Sequence, residues 1–275
     1  QFPSFLFSVT QSSMKFIHNL SLIQNTITIV LVCFLTFCGY SQTQLPNKNG
    51  YWIAYTGDNK ISKRFGLHTE VQMRNLFNSE SVETQLYRLG VNYYFKPTTM
   101  FTLGYGFIFN EPNEEYLMAS TTHEHRIWQQ LILRQKSKNL FLEHRYRLEQ
   151  RFIENKDSGV EREEHRLRYR FQAIFPLYSL NPVLRHLFLI GNNEVMINFR
   201  SDTNLIFDRN RLFVGAGYQV SPKLNFQMGY LNQFAQFSGR DKAFSENLFL
   251  IGMSYNMDDL MPEIFRAKKV DTTQN

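Results

Sequence analysis

The triplet Glu-His-Arg occurs three times, at Glu124-His125-Arg126, Glu143-His144-Arg145 and Glu164-His165-Arg166. Imidazoles and carboxylates recurring in this way invite a metal or acid–base reading, and the flanking residues decide against it. In 141–152 the odd positions carry Glu143, Arg145, Arg147, Glu149 and Arg151, while Leu142, Tyr146, Leu148 and Phe152 occupy even ones. In 162–175 the even positions carry Arg162, Glu164, Arg166, Arg168 and Arg170, against Leu167, Tyr169, Phe171 and Phe175. A period of two is that of a strand, which sends the two sets to opposite faces; three- and four-residue helical steps would mix them. Each triplet histidine therefore points away from its Glu and Arg. Histidines on the apolar face of strands that reverse direction cannot converge on one ion, so no metal site is expected.

The ionic set Glu124, Arg126, Glu143, Arg145, Arg147, Glu149, Arg151, Glu164, Arg166, Arg168 and Arg170 carries more weight. Cross-strand neighbours lie about 5 Å apart, so acids and bases of adjacent strands can pair into a network that fills and stiffens a narrow barrel. The functional counterpart is a basic-lined path for small anionic solutes. Other chemistry finds little support. A lipid-modifying enzyme needs a nucleophile, a base and an orienting group together. His68, His123 and Ser245 are candidates without a local motif, and no serine sits in a nucleophile elbow. No phosphate-binding or calcium loop is present, so no cofactor is expected. The net charge of +6 does not make a nucleic-acid surface, because arginines and aromatics fall on opposite strand faces.

The elements that position these residues are candidate strands at 51–57, 64–74, 82–95, 99–110, 121–135, 139–153, 160–175, 185–199, 209–220, 223–235 and 244–257. Alternation is plain in 64–74 (Phe65, Leu67, Thr69, Val71 and Met73 against Gly66, His68, Glu70, Gln72 and Arg74) and returns in 101–109, 212–220, 224–230 and 249–255. Gly66, Gly90, Gly104, Gly106, Gly215, Gly217, Gly229 and Gly252 all share the polar parity, as the crowded concave side of a closed sheet requires. Connections around 96–98, 137–138 and 221–222 are short, whereas 111–120, 154–159, 200–208 and 236–243 are longer and polar. This is the alternation of outer-membrane barrels. The 176–184 segment, with Pro176 and Pro182, breaks it. Single-chain bacterial barrels have even strand counts, so eleven segments point to a closed antiparallel transmembrane β-barrel of twelve strands, with ten as the alternative.

In a chain of 275 residues, 43% hydrophobic and 20% charged, the apolar run Ile27–Phe37 is too short for a spanning helix. Behind Lys15 and ahead of Gly39-Tyr40-Ser41 it reads as the core of a signal peptide over 14–41. Residues 1–13 are read as upstream and non-structural, 42–257 as the barrel and 258–275 as a polar tail. Cys33 and Cys38 are the only cysteines; acylation of Cys38 is disfavoured by bulky Phe37, and cleavage after Ser41 leaves none. The localisation expected is the outer membrane of a Gram-negative bacterium, with its lipid as partner. Aromatic residues such as Tyr55, Tyr93, Phe95, Phe109, Phe152, Phe175, Tyr218, Tyr230 and Tyr255 suit interfacial girdles. A soluble, lipocalin-like periplasmic barrel is the alternative with the faces exchanged.

Several stretches carry a resemblance: Tyr51-Trp52-Ile53-Ala54-Tyr55, His125-Arg126-Ile127-Trp128-Gln129-Gln130, 144–152, Asp208-Arg209-Asn210-Arg211-Leu212-Phe213 and Gly229-Tyr230-Leu231-Asn232-Gln233. Over roughly residues 50–257 the chain resembles the Gram-negative outer-membrane barrels grouped as domain of unknown function 2490. The resemblance implies an exported β-barrel and no particular reaction or catalytic residue.

Overall fold

The computed structural model describes residues 43–44, 48–77, 82–112, 120–137, 139–200, 203–236 and 242–256. The expected signal peptide and polar tail lie outside these. Eleven long strands form the wall: β1 (Lys48–Lys60), β2 (Phe65–Leu76), β3 (Thr84–Lys96), β4 (Thr99–Asn110), β5 (Thr122–Ser137), β6 (Leu140–Asn155), β7 (Glu161–Pro176), β8 (Leu187–Arg200), β9 (Thr203–Ser221), β10 (Leu224–Gln236) and β11 (Lys242–Tyr255). Thr43–Gln44 is a further strand of two residues, too short to be a wall element. Each long strand pairs antiparallel with the next, and β11 closes on β1 through a parallel seam from Glu246↔Lys48 to Tyr255↔Gly57.

The barrel thus closes on eleven strands rather than the expected twelve. All eleven segments read from the alternation are present; what fails is the inference from even parity. Even counts follow when the first and last strands run in opposite directions. A parallel last pair satisfies every ladder hydrogen bond with an odd number.

The tight connections sit at one rim: residues 97–98 and 222–223 lie between strands, Ser137 pairs with Leu140 where β5 passes into β6, and at 61–64 the Ser62 Oγ accepts from Phe65 N at 3.0 Å. The 177–186 connection at the same rim holds two 3-10 turns, Leu177–Ser179 and Pro182–Leu184, where Asn181 Oδ1 accepts from Val183 N. At the other rim, however, the long loop expected over 200–208 is absent. β9 continues to Thr203, and its register against β8 steps from Phe207↔Ile197 to Arg209↔Met196, so Asp208 is the extra residue of a bulge. The bulge resets parity along β9, and from there Arg211 and Phe213 are buried while Leu212 and Val214 are exposed.

Side chains are distributed as alternation requires, with the apolar set outside. Val91, Leu103, Val214 and Met228 are each more than half exposed, whereas Glu124, Glu149, Arg147 and Arg168 are buried. Glycine makes the interior possible at two close approaches. A Cβ on Gly104 would lie 2.5 Å from Trp128 Cε2, and one on Gly217 would run into the Phe188 ring, 2.7 Å from Cε1. Both large rings are buried, so each occupies volume that an alanine opposite it would need. The interior also contains an apolar cluster in which Trp52, Phe188, Phe213, Leu231, Leu248 and Leu250 take part. The inner face from β8 round to β1 thus carries an apolar patch among polar residues such as Glu194, Arg211, Gln233 and Glu246.

Candidate functional site

Register explains how the ionic interior is assembled. Direct cross-strand partners are often alike in charge: Arg126 faces Arg151, Arg145 faces Arg170 and Arg147 faces Arg168. Like charges directly opposite destabilise a sheet, and these rungs stand beside acid–base rungs of the kind expected from the sequence, Arg134 with Glu143 and Arg151 with Glu164. Carboxylates arriving diagonally or from other strands supply the compensation. Glu149, fully buried, meets Arg168 at 2.8 Å, Arg126 at 3.1 Å and Arg88 at 3.2 Å. Glu194 takes Arg145 at 2.6 Å and Arg168 at 2.7 Å, and Glu143 takes Arg170 at 2.6 Å and Arg134 at 3.0 Å. Glu124 accepts from both Nε (2.7 Å) and Nη2 (2.9 Å) of Arg151, a bidentate grip, and it also holds Arg126; Arg151 Nη1 turns to Glu164 at 2.7 Å.

All eleven residues singled out from the sequence lie inside, and further ionic residues join them. Arg88 binds Glu70 at 2.9 Å across β2 and β3, Arg166 binds the bulged Asp208 at 3.0 Å, and Arg211 lies 3.8 Å from Glu194. Parity alone would have placed Glu70 and Arg88 inside, but their strands hold one or two charges each and the pattern is thin. A further polar chain runs from β1 to β4: His68 Nδ1 lies 2.7 Å from Asp58 Oδ1, Asn92 Nδ2 donates to the same oxygen at 2.8 Å, and Thr102 Oγ1 donates to Asn92 at 2.7 Å.

The enzyme candidates do not meet. His68 is inside against Trp128, with ring centroids 5.1 Å apart. His123 packs outside on Phe107 and Phe109, and Ser245 hydrogen-bonds Asn232 at 2.9 Å on the far strands. The triplet histidines also remain apart on the outer side: His125 beside Tyr105 and Phe107, His144 stacked on Tyr169, His165 beside Phe199. Among the described residues no group of three His, Cys, Asp or Glu is disposed to hold a metal ion.

Height divides the interior into two parts. Toward the rim where β5 begins and β6 ends, Glu124, Arg126, Glu149, Arg151, Glu164, Arg166 and Asp208 are each less than a tenth exposed and form a packed ionic layer. Below it lies a cavity of about 240 Å³, reaching from Glu70, Arg147 and Arg168 at mid-height to Gln219, Asn225 and Ser254 beside the short turns. Its lining carries eight arginines against four carboxylates, together with Trp52, Phe188, Phe213, Leu231 and Leu250.

These features define a closed β-barrel with apolar side chains outside and ionic ones inside, with an ionic layer across one half and a basic, partly apolar chamber in the other. Residues 49–257 match the family described as protein of unknown function (DUF2490), and the chain belongs to that family. No curated protein matches it.

Proposed function

We propose that the protein is an outer-membrane β-barrel of a Gram-negative bacterium, with a structural role or a transport role through a narrow lumen that the ionic layer shuts in the conformation described. The observation that carries this reading is the direction of the side chains. Apolar residues face out all round the wall, and buried arginines and carboxylates face in. In water this arrangement would leave a large apolar surface exposed; in hydrocarbon it is the favourable one. A lipocalin-like binding barrel needs the reverse. The strands, 12 to 19 residues long, exceed the roughly 9–11 that a tilted strand needs to cross a bilayer, and the closed ladder leaves no backbone edge to lipid. The apolar run Ile27–Phe37 behind Lys15 fits export.

Cell fractionation tests the proposal. The chain should sediment with outer membranes, resist alkaline wash, require detergent for extraction, and migrate as a compact species on gels unless boiled. A folded protein that stays in solution without detergent would overturn it. Planar-bilayer recording bears on the role: the intact barrel should show no steady conductance, and Glu149→Ala, which loosens the ionic layer, should introduce small salt-dependent steps. Steady ohmic current through the unaltered barrel would refute the closed lumen.

A further inference from the structure

We infer that the chamber below the ionic layer is a binding site for a small organic anion with an apolar body, such as an aryl or short-chain alkyl phosphate or carboxylate. The first ground is uncompensated positive charge. Of the cavity arginines, Arg74 has no carboxylate within ion-pair distance among the described residues; its Nη2 donates to Gln72 at 2.7 Å and its Nε has no partner. For Arg147 the nearest carboxylate is Glu149 at 3.8 Å, and for Arg211 it is Glu194, also at 3.8 Å. Arg147 is 1% exposed, spends Nε and Nη2 on Gln130, and leaves Nη1 without an acceptor. Guanidinium groups so placed have lost bulk water and gained either no close carboxylate or one at the edge of ion-pair distance, which is unfavourable unless something supplies the charge. A phosphate or carboxylate offers the pair of acceptor oxygens that a planar guanidinium fork fits.

The second ground is the opposite wall. Trp52 carries Arg74 over its ring at 3.7 Å and Arg211 at 4.8 Å, so the basic groups begin where the apolar surface of Phe188, Phe213, Leu231 and Leu250 ends. An inorganic anion would use only the first half of this chamber and a hydrocarbon only the second. At about 240 Å³ the space falls below the range of roughly 300–1,000 Å³ for drug-sized ligands, which limits the occupant to a single ring or a short chain. The inference concerns the lumen and holds whichever compartment the barrel occupies.

Titration of the detergent-solubilised full chain with phenyl phosphate, inorganic phosphate and benzyl alcohol tests it, read by calorimetry and by fluorescence of the two tryptophans, one of which lines the chamber. Phenyl phosphate should saturate, and both other probes should bind at least tenfold more weakly. Arg74→Gln and Arg211→Gln should each weaken phenyl phosphate about tenfold, as loss of one charge-assisted contact does. Arg162→Gln, on a half-exposed side chain remote from the chamber, should leave it unchanged. Because Arg74 has no carboxylate partner, its replacement leaves no buried acid orphaned, and gel mobility before boiling verifies the fold. No saturation by phenyl phosphate at about 10 mM, a range that already counts as weak binding, overturns the inference. So does equal affinity for inorganic phosphate, or unchanged affinity in both arginine variants.

Discussion

Replacing Glu149 by glutamine removes the carboxylate that Arg168, Arg126 and Arg88 share at 2.8, 3.1 and 3.2 Å. Breaking a buried ion pair from one side costs about 3–5 kcal/mol, because a charge is left without compensation; a solvated pair contributes about 0.2–1 kcal/mol. The three guanidiniums do not each lose their only partner. Arg88 keeps Glu70 at 2.9 Å, Arg126 keeps Glu124, and Arg168 keeps Glu194 at 2.7 Å. The loss expected for Glu149→Gln is therefore about 3 kcal/mol, the lower end for one pair rather than three times that figure. Glu194→Gln should cost more, about 4–5 kcal/mol, since Arg145 has no other carboxylate within ion-pair distance among the described residues; the 3.8 Å contacts of Arg211 to Glu194 and of Arg147 to Glu149 are lost one in each variant and cancel in the comparison. Urea unfolding of the refolded barrel, followed by tryptophan fluorescence and by gel mobility, measures both. A loss below about 1 kcal/mol for Glu149→Gln would mean a wet, screened interior, and a larger loss for Glu149→Gln than for Glu194→Gln would refute the assignment of partners.

Other perturbations probe the wall. Phe171→Arg, on the outer face in the middle of β7, should impair insertion by about 2–4 kcal/mol, while Gln172→Arg, on the inner face beside it, should be milder; equal tolerance in a vesicle-insertion assay would contradict the assignment of faces. Gly217→Ala should cost about 1–3 kcal/mol through overpacking and should be largely restored by Phe188→Leu, since the three atoms nearest the added methyl belong to that ring; no rescue in paired unfolding curves would place the strain elsewhere. Deleting Asp208 should keep the compact species on gels, because Phe207↔Ile197 and Arg209↔Met196 are already consecutive rungs on β8 and no side chain changes face; like Asp208→Ala it should lose only the contact to Arg166 and Arg209, and an unfolded deletion variant beside a folded Asp208→Ala would refute the bulge assignment.

The strands carrying most of the ionic layer were readable because 141–152 and 162–175 alternate charge with aromatic and aliphatic residues almost without exception. One face of each had to be ionic whatever its partner. Three things escaped. Strand pairing needs register, and register depends on turns and bulges that composition does not mark, so like-charged rungs such as Arg147 opposite Arg168 were invisible. The bulge at Asp208 hid the first six residues of β9, Thr203–Asp208, behind what reads as a polar loop, 200–208. Trp128 sits on the inward parity of its strand, but nothing local says that its indole lies over Gly104 and reaches toward Gly90 on the strand beyond. Tyr230 marks the opposite error: its aromatic ring suits an interfacial girdle, yet it lies in the middle of β10.

The parallel seam has a bearing on how the barrel assembles. Every other pair of neighbouring strands can zip from its own connection, whereas β11 must find β1 from the far end of the chain; the Asp58 amide and Asn256 Oδ1 that meet beside the seam at 2.8 Å are 198 residues apart in sequence. Contacts so distant are the slowest to form, and until this one does, both terminal strands present bare backbone donors and acceptors to their surroundings. Catalysed assembly, in which another sheet edge shelters these strands until they meet, would act on this step.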